Sequence, residues 1–434
     1  SQARSHSAPG GLPAAAPMER PAAALLLTCL GCAPLLLAGC GGSPKPKPGP
    51  PKPPAPTVSF CKQPGWELVW SDDFDGQELN SSNWNVMVGR DEGTLRQALG
   101  TREDVYLEDG KLVLRTRLDG FDSSVPRPTN CSTLLADTDV RGGYDVATTS
   151  AKDVGECCAQ CRGNPVCASF IYLPGGFNCT VGCCYQKSAD ARTVTPGRPN
   201  RTSGFVPGAG MYKSGAVISG APRTSTVPVG SANRSWTYGR FCVRAKLPGF
   251  PNGSADGADG RSQGIWPAHW LLPNVKDCWP TKGEIDVMEM LNGDGMYHGT
   301  YHWSGNNDCS NDAAAGGKTK APADFASAFH EYALEWTAEH MRFVVDGVVQ
   351  WEVKPEDKPD YGGPNKAKFF KEEYYWLLNT AVGTNRSWSG PPGPDTVFPQ
   401  HHYIDYVYVA QSSQHSNGSS TAASAEPGEA EVVV

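Results

Sequence analysis

Three carboxylates lie within six residues of this sequence, at Glu284, Asp286 and Glu289, with apolar residues between them. Side chains of a β-strand alternate between its two faces, so Glu284 and Asp286 share one face. Glu289 points the other way in a regular strand. One extra residue at Val287–Met288, a β-bulge, turns Glu289 back to the side of the other two. The spacing therefore predicts an acidic patch on one face of a sheet.

Clustered carboxylates repel one another when ionised, so the pKa of at least one must rise, which leaves a protonated acid beside an ionised base. Such a pair can cleave a glycosidic bond, because one group attacks the anomeric carbon while the other protonates the leaving oxygen. A solvated acidic edge or a cation site is the plainer alternative. Calcium sites usually draw their ligands from loops rather than from an apolar strand, and this favours the glycosidase interpretation.

The elements that must position these carboxylates are short strands. Gly and Pro number 49 and 37, charged residues make up 19%, and segments 111–117, 240–246 and 405–410 alternate with period two. Asp346-Gly347 between two alternating runs predicts a hairpin. Short strands with frequent turns predict an all-β fold, a sandwich of two antiparallel sheets. The net charge is −7 and Lys and Arg form no cluster, so we expect no nucleic-acid partner.

The two ends of the chain have biased compositions. Residues 18–40 begin with the first Met and contain an apolar run over 22–39, which predicts a signal peptide or a membrane anchor. Residues 41–56 form a Pro-rich linker. Ser, Asn, Gly, Ala and Glu dominate residues 411–434, so we expect a disordered tail. Eight Asn-x-Ser/Thr sequons favour a secreted glycoprotein over the bacterial lipoprotein that Leu37-Ala-Gly-Cys40 suggests.

The segments around the acidic patch resemble the laminarinase-like branch of glycoside hydrolase family 16. The matching segments follow the family order: 66–76, 235–248, Gly264-Ile-Trp-Pro-Ala-His-Trp270, the acidic patch, Gly299-Thr-Tyr-His-Trp303, 378–383 and 403–407. The resemblance implies a jelly roll of the concanavalin A type, with a catalytic domain formed by 57–118 and 210–410. It also implies that the acidic strand lies on the concave face, which forms an open cleft.

The same resemblance assigns roles to individual residues. Glu284 is the expected nucleophile and Glu289 the expected acid/base, with Asp286 tuning the pair. Trp279 and either Trp270 or Trp266 would flank the cleaved sugar, since the apolar faces of a pyranose stack on indole. His302 would contact the sugar near the cleavage point, and Asn379 would border the cleft or simply end a strand. The residues that we predict to bind substrate are Trp266, Trp270, Trp279 and His302.

The resemblance therefore predicts a secreted, monomeric, retaining endo-β-1,3-glucanase that requires no cofactor and acts on β-glucan. The sequence is also compatible with four alternatives. They are a hydrolase of mixed β-1,3/1,4-linked glucan, a transglycosylase, a hydrolase of another polysaccharide and a non-catalytic β-glucan recognition protein. Some relatives hold a structural calcium near the acid that matches Asp405. Asp73 stands where the family often has Glu, and this shorter side chain places a calcium site here in doubt.

About 90 residues between Arg117 and Met211 interrupt the family pattern, and they contain eight of the fifteen cysteines. The order Asp-Thr-Asp, Cys-Cys-x-x-Cys, Asn-Pro-x-Cys and Phe-Ile-Tyr in this stretch resembles a PAN/apple module, which we assign to 119–209 as a small disulfide-rich α+β insertion. Ser150–Asp153 predicts a helix start and 168–172 a strand. No His lies near these cysteines, so disulfides are favoured over zinc.

The function of this insertion is open at the sequence level. A cell-wall or glycan ligand is one alternative, and a decoration without chemical function is the other. We expect its two ends to lie close together, and we expect the module to be separable and to contribute nothing to bond cleavage. In the catalytic domain Cys61 can pair with Cys242 and Cys278 with Cys309, but spacing does not fix this connectivity.

Overall fold

The computed structural model of the chain describes residues 58–413, with gaps at 91–93, 123, 125, 128, 142–144, 176–178, 180, 190–192, 222–226, 250–259, 305–307, 310–311, 321–324 and 355–370. The predicted signal peptide or anchor and the Pro-rich linker lie outside the described residues, as does the tail beyond 413. Within the described ranges, no helix is long and apolar enough to cross a membrane.

Among the described residues, eighteen strands belong to the two predicted pieces of the catalytic domain, and the short strand β3 joins its sheets. Before the insertion these are β1 Trp66–Asp72, β2 Asn85–Arg90, β3 Leu99–Gly100, β4 Val105–Leu107 and β5 Leu112–Asp119. After it come β13 Met211–Ser214, β14 Ala216–Ile218, β15 Val227–Val229, β16 Gly239–Lys246, β17 Ile265–Pro273, β18 Glu284–Glu289, β19 Met296–Trp303, β20 Ala313–Lys320, β21 His330–Trp336, β22 Met341–Val345, β23 Val348–Val353, β24 Tyr374–Val382 and β25 Gln400–Ser412.

The insertion contains seven further strands and a helix. They are β6 Ser132–Ala136, β7 Thr138–Arg141, β8 Asp145–Ser150, α1 Val154–Gly163, β9 Ser169–Pro174, β10 Gly182–Lys187, β11 Thr193–Pro196 and β12 Thr202–Phe205. Two 3-10 turns, Phe60–Lys62 and Arg102–Asp104, complete the elements of the described chain. The bounds correct one prediction, because β25 ends at Ser412 and the first residues assigned to the tail therefore belong to a strand.

The catalytic domain is a sandwich of two sheets. The sheet with the acidic strand runs β20–β19–β18–β17–β24–β14–β2–β15, and the other runs β23–β22–β21–β16–β25, with β25 continuing to β1 and β5. Among the described strand pairs, β3 with β13 is parallel and the rest are antiparallel. The predicted all-β jelly roll is therefore confirmed. The predicted hairpin is also present, with positive φ at Asp346 (49°) and Gly347 (77°) between β22 and β23.

A large aromatic core separates the two sheets. Phe241 of one sheet lies 5.9 Å from Trp376 of the other, edge to face, and 6.1 Å from Trp336. Ile285 and Val287 of the acidic strand are fully buried in the same cluster. Burial of each large apolar side chain contributes about 1.5–3 kcal/mol to stability. The apolar residues between the carboxylates thus anchor β18 to the core and direct its acidic side chains to the opposite face.

The insertion is an α+β unit held by disulfides. Its sheet has the order β6–β12–β9–β10–β8, and β7 pairs with β11. Its bridges are Cys131–Cys158, Cys157–Cys184, Cys161–Cys167 and Cys179–Cys183. In the catalytic domain both suggested pairs form, Cys61–Cys242 and Cys278–Cys309.

The helix of the insertion begins later than predicted. Asp153 is its N-cap, and the Asp153 carboxylate accepts a hydrogen bond from the Glu156 backbone N at 2.8 Å. Ser150 does not cap the helix, because it ends β8 and pairs with Cys183 of β10. At the other end of α1 the Arg127 guanidinium donates to the Cys161, Arg162 and Asn164 carbonyls, and this satisfies acceptors that a helix C-terminus leaves unpaired.

The insertion joins the sandwich as a long hairpin loop. Asp119 at the end of β5 pairs with Met211 at the start of β13, so the two ends are adjacent as predicted. The insertion does not stand apart, however. Val166 and Phe170 belong to one buried cluster with Tyr212 and Val382 of the catalytic domain. The described residues of both parts form one compact unit, and this argues against the expected separability.

Candidate active site

The acidic strand contains the bulge that its sequence predicts. Asp286 pairs with Thr300 of β19, whereas Glu289 pairs with His298, so three steps along β18 match two steps along β19. The extra residue lies at Val287–Met288, and both of these side chains are fully buried. The irregularity brings Glu289 to the face that Glu284 and Asp286 already occupy.

A cavity of about 470 Å³ lies over this face. It is lined by Thr94, Arg96, Trp266, Ala268, Trp270, Leu272, Trp279, Glu284, Asp286, Glu289, Asn379 and Ala381. The structure thus brings together the three carboxylates and the three tryptophans that the sequence singled out. A mainly apolar and aromatic lining with a few converging polar and acidic groups is typical of a ligand-binding or catalytic site.

Hydrogen bonds fix the orientation of two of the tryptophans. Trp266 donates from Nε1 to Glu289 Oε1 at 2.9 Å, and Trp270 donates from Nε1 to Asn379 Oδ1 at 2.7 Å. Asn379 in turn donates to the Thr94 carbonyl at 2.6 Å. It lies within β24 and lines the cavity, so it borders the cleft and does not end a strand. Trp279 is hydrogen-bonded to Glu284, but it is 46% exposed and offers an open ring at the rim.

His302 lies next to the carboxylates rather than in the cavity wall. Its Nε2 is 3.2 Å from Asp286 Oδ2, its Nδ1 is 3.0 Å from Asp312 Oδ1, and its ring lies 5.8 Å from the Trp279 ring. Burial disfavours the imidazolium, but hydrogen bonds to Asp286 and Asp312 outweigh burial and raise the pKa of His302 to about 11. With a carboxylate at each ring nitrogen, His302 is an imidazolium that offsets part of the local negative charge.

The environment of the two glutamates disfavours their ionisation. Burial, followed by the charge of Asp286, raises the pKa of Glu289 from 4.5 to about 8, although the Trp266 N–H opposes this shift. Burial and Asp286 also raise the pKa of Glu284 well above its usual range, while His302 opposes the shift. Because the two groups lie in one cluster, their surroundings favour keeping a proton on the pair. A carboxylate and a carboxylic acid side by side can act as nucleophile and acid.

The residues that could bind a cation already contact other groups of the protein. Donor atoms of Glu284, Asp286 and His302 lie within 4.8 Å of one another, but both ring nitrogens of His302 already contact carboxylates. At the calcium position considered from the sequence, Asp405 forms an ion pair with Arg244 and Asp73 accepts a hydrogen bond from the Tyr408 hydroxyl. The Arg244 guanidinium already neutralises the Asp405 carboxylate that a calcium ion would need as a ligand. The residues around Asp405 therefore do not fit a calcium site.

Several residues near the site carry no local sequence signal. Arg96 lies between β2 and β3 with a φ of 56°, and its guanidinium is 5.0 Å from the Trp266 ring centre. Asp312 precedes β20, and Trp388 follows β24. Strand β20 is adjacent to β19, so a prediction of strand order would have brought Asp312 to His302. Neither spacing nor composition points to Arg96 or Trp388.

The fold and the site together define a class of protein, a β-sandwich with a carboxylate-lined cleft, and comparison with known proteins agrees. Residues 209–375 match the model for glycosyl hydrolases family 16, and residues 131–205 match the model for the PAN domain. Residues 209–375 thus form a family 16 region and residues 131–205 a PAN module, which confirms the two resemblances found in the sequence.

Individual relatives match parts of the chain. A β-glucanase of Rhodothermus marinus is 36% identical over 197 residues, which cover 44% of this chain and 63% of that protein. A β-1,3-glucan-binding protein of Penaeus monodon is 33% identical over 178 residues, 35% of this chain and 44% of that protein. The chain thus spans less than two thirds of these relatives. The laminarinase catalytic domain of Thermotoga maritima is 23% identical, with a TM-score of 0.48, over 80% of this chain and 98% of that domain.

Proposed function

We propose that this protein is a secreted endo-β-1,3-glucanase that retains the anomeric configuration. The observation that supports the proposal most directly is the bulge at Val287–Met288, which gathers Glu284, Asp286 and Glu289 on one face under a tryptophan-lined cavity. The relative from Rhodothermus marinus is a β-glucanase, and this supports a glucan as substrate. Six disulfides among the described residues suit an oxidising, extracellular compartment.

In the proposed reaction the ionised Glu284 attacks the anomeric carbon. Glu289 donates its proton to the glycosidic oxygen as the bond to that oxygen breaks, and a glycosyl ester of Glu284 forms. Glu289, now ionised, then takes a proton from water while the water oxygen attacks the anomeric carbon, and the bond between that carbon and Glu284 breaks. Asp286 links the pair to the His302 imidazolium at 3.2 Å, so a positive charge lies beside the group that must be ionised before the attack.

The tryptophans supply binding surface for an uncharged sugar. The ring of Trp279 is exposed at the rim, and the indole N–H of Trp266 reaches Glu289 directly. A ring stacked on these indoles lies next to both glutamates, which is the placement that bond cleavage requires. The cavity is open at the surface of the sheet, so a chain can enter from the side, and we expect internal cleavage by a monomer.

Digestion of a panel of soluble polysaccharides tests the proposal. The purified protein should degrade β-1,3-glucan to oligosaccharides of intermediate size before glucose appears, and NMR should detect the β-anomer first. The panel includes mixed-linkage β-1,3/1,4-glucan, β-1,4-glucan and galactans. Early release of glucose alone would contradict internal cleavage, and an α-anomer formed first would contradict retention. Binding of β-1,3-glucan without any product would show a recognition protein instead, the function of the Penaeus monodon relative.

A further inference from the structure

A second exposed tryptophan lies beside the cleft. Trp388 is 57% exposed, and its ring lies 6.0 Å from the Trp266 ring, edge to face. It also lies 4.7 Å from the ring of His298 on β19. Trp266 is hydrogen-bonded to Glu289, so the ring of Trp266 lies between Trp388 and a carboxyl of the site. An open indole at this position offers a surface for a sugar beyond those that the cavity holds.

The segment 383–394 that contains Trp388 packs tightly on the start of β17. A Cβ at Gly264, where φ is +78°, would come within 2.2 Å of the Pro392 backbone N. A Cβ at Gly383 would come within 2.0 Å of Ser389 Oγ. Such close approaches are compatible only with glycine. The residue before β17 therefore holds this segment at Pro392, and on the other side of Trp388 the Gly383 N–H donates to the Gly264 carbonyl at 2.8 Å.

The insertion contacts the same segment from outside the sandwich. Asn385 donates from Nδ2 to the Thr148 carbonyl of β8 at 2.8 Å, although 237 residues separate the two in sequence. Strand β8 is an edge strand of the insertion's sheet, so a carbonyl on its outer side is open to a partner. A cavity of about 730 Å³ lies beside this contact, lined by Val146 and Ala147 of β8 and by the Pro391–Pro394 run.

The acceptor itself is held rigidly. Thr148 pairs with Tyr185 of β10, and the neighbouring residue on β10, Cys184, is bonded to Cys157 of the helix. The Thr148 carbonyl is therefore part of a disulfide-braced sheet. A continuous series of contacts runs from this sheet through Asn385 and its segment to Trp388, and from there to Trp266 and Glu289.

We propose that the insertion is a structural part of the substrate-binding surface. Through the Thr148 carbonyl it holds Asn385 and its segment so that Trp388 forms a stacking platform for an uncharged β-glucan chain beyond the cavity. Trp388 is then a binding residue and Asn385 a positioning residue. The inference rests on the proposed function, because it assigns a surface for the same substrate. It predicts that the platform contributes to the binding of long chains and not to that of short ones.

Binding measured without turnover separates this inference from the proposed activity. In a Glu284→Gln background, titration calorimetry with β-1,3-gluco-oligosaccharides of increasing length should show affinity rising once the chain reaches Trp388. Adding Trp388→Ala should then weaken the binding of long chains about tenfold, the order expected for loss of one stacked aromatic ring, and that of short chains less than about twofold. Trp388→Phe should restore most of the affinity for long chains.

Asn385→Ala tests the role of the insertion. Asn385 lies in a sequon, so the variants are made in a host that attaches no N-glycans. Asn385→Ala should weaken long-chain binding about threefold, whereas its exposed neighbour Arg386, changed to Ala, should leave it unchanged. In the active enzyme Asn385→Ala should raise KM for long chains and leave kcat unaltered.

Two outcomes would overturn the inference. Equal weakening of short-chain and long-chain binding by Trp388→Ala would place this ring in the cavity site rather than beyond it. Unchanged long-chain binding in Asn385→Ala would show that the insertion does not position the platform. A protein that binds long chains in this manner but cleaves none of them would refute the proposed hydrolase and leave the platform established.

Discussion

The catalytic sandwich and the insertion are stabilised in different ways. The sandwich has a core of large rings in which Trp84, Trp303, Trp336 and Trp376 are fully buried. The insertion is much shorter, and its fully buried aromatic ring in the described residues is Phe170. It has four disulfides, whereas the described part of the sandwich has two. A short segment buries too little apolar surface to hold its shape, so covalent links take over that role.

The two regions also differ in the surroundings of their charged side chains. The insertion pairs them near the surface, with Lys187 at 2.6 Å from Asp145 and Arg201 at 2.6 Å from Asp139. The sandwich contains ion pairs as well, such as Arg240 with Glu335 at 2.7 Å, but it also holds Glu284 and Glu289 where burial raises the pKa of both. Unfavourable electrostatics of this kind persist only on a framework that is stable for other reasons. This difference agrees with the two proposals made above, in which the sandwich carries out bond cleavage and the insertion shapes the outer cleft.

Replacement of Glu284 should have the largest effect. Glu284→Gln removes the proposed nucleophile and should lower kcat by at least about three orders of magnitude, as loss of a nucleophile does in other enzymes. The fold and the insertion should remain intact, as circular dichroism and disulfide mapping can check. Asp286→Asn, the matched control on the same strand face, should be less harmful. Near-normal activity in Glu284→Gln would refute the assignment of the nucleophile.

Glu289→Ala distinguishes the two glutamates. Without the acid/base, water is no longer activated, but azide needs no base and can attack the glycosyl ester. On an aryl β-glycoside, whose leaving group needs no acid, azide should therefore partly restore turnover of Glu289→Ala and give a β-glycosyl azide, whereas it should not rescue Glu284→Gln. Formation of an α-azide would indicate direct displacement and contradict the covalent intermediate.

Much of the acidic strand was predictable because the residues that determine its conformation are neighbours in the sequence. Alternation over a few residues, together with buried Val287 and Met288, defines both the face and the bulge. The Asp346-Gly347 hairpin follows in the same way from two residues that tolerate positive φ. Such features depend on period and backbone preference, which a short stretch of sequence contains.

The remaining features depend on contacts between distant residues. Arg96 reaches the Trp266 ring from a loop 170 positions earlier, and Asn385 meets a carbonyl of the insertion 237 residues away. Their geometry follows from strand order and docking, which no local pattern encodes. The helix start in the insertion was misplaced for a related reason, since pairing of Ser150 with Cys183 outweighs its preference for capping.

Removal of a disulfide from the insertion should have a smaller effect, confined to one region. The Cys157–Cys184 bond spans 27 residues and links the helix to β10, so replacing both residues with Ala should destabilise the insertion by about 2–4 kcal/mol. Hydrogen exchange should quicken within 131–205, while cleavage of short oligosaccharides stays within a few-fold of the parent. Removal of Cys179–Cys183, which spans four residues, is the matched control and should matter less. Complete loss of short-substrate cleavage in a folded variant would show that the insertion builds the reacting centre.

The smallest expected effect concerns the charge of Arg96. Glu289 must be protonated to act as the acid, and its pKa is raised to about 8, so kcat/KM should fall as the pH rises through that value. The positive charge of Arg96 favours ionised Glu289 and holds its pKa down. Arg96→Ala should therefore move the alkaline limb to higher pH by a fraction of a unit, whereas Arg96→Lys should leave it in place.

The same carboxyl predicts a pH effect on stability that does not depend on catalysis. The pKa of Glu289 is raised from 4.5 to about 8 in the folded protein, so the folded state holds a proton that the unfolded chain releases. Stability associated with this group is present below pH 4.5 and is lost as the pH rises through about 8. Glu289→Gln carries no charge at any pH, so its unfolding temperature should match the parent at pH 4 and exceed it at pH 9. An equal difference at both pH values would show that Glu289 is not held protonated, and the acid would then have to be sought elsewhere on the strand.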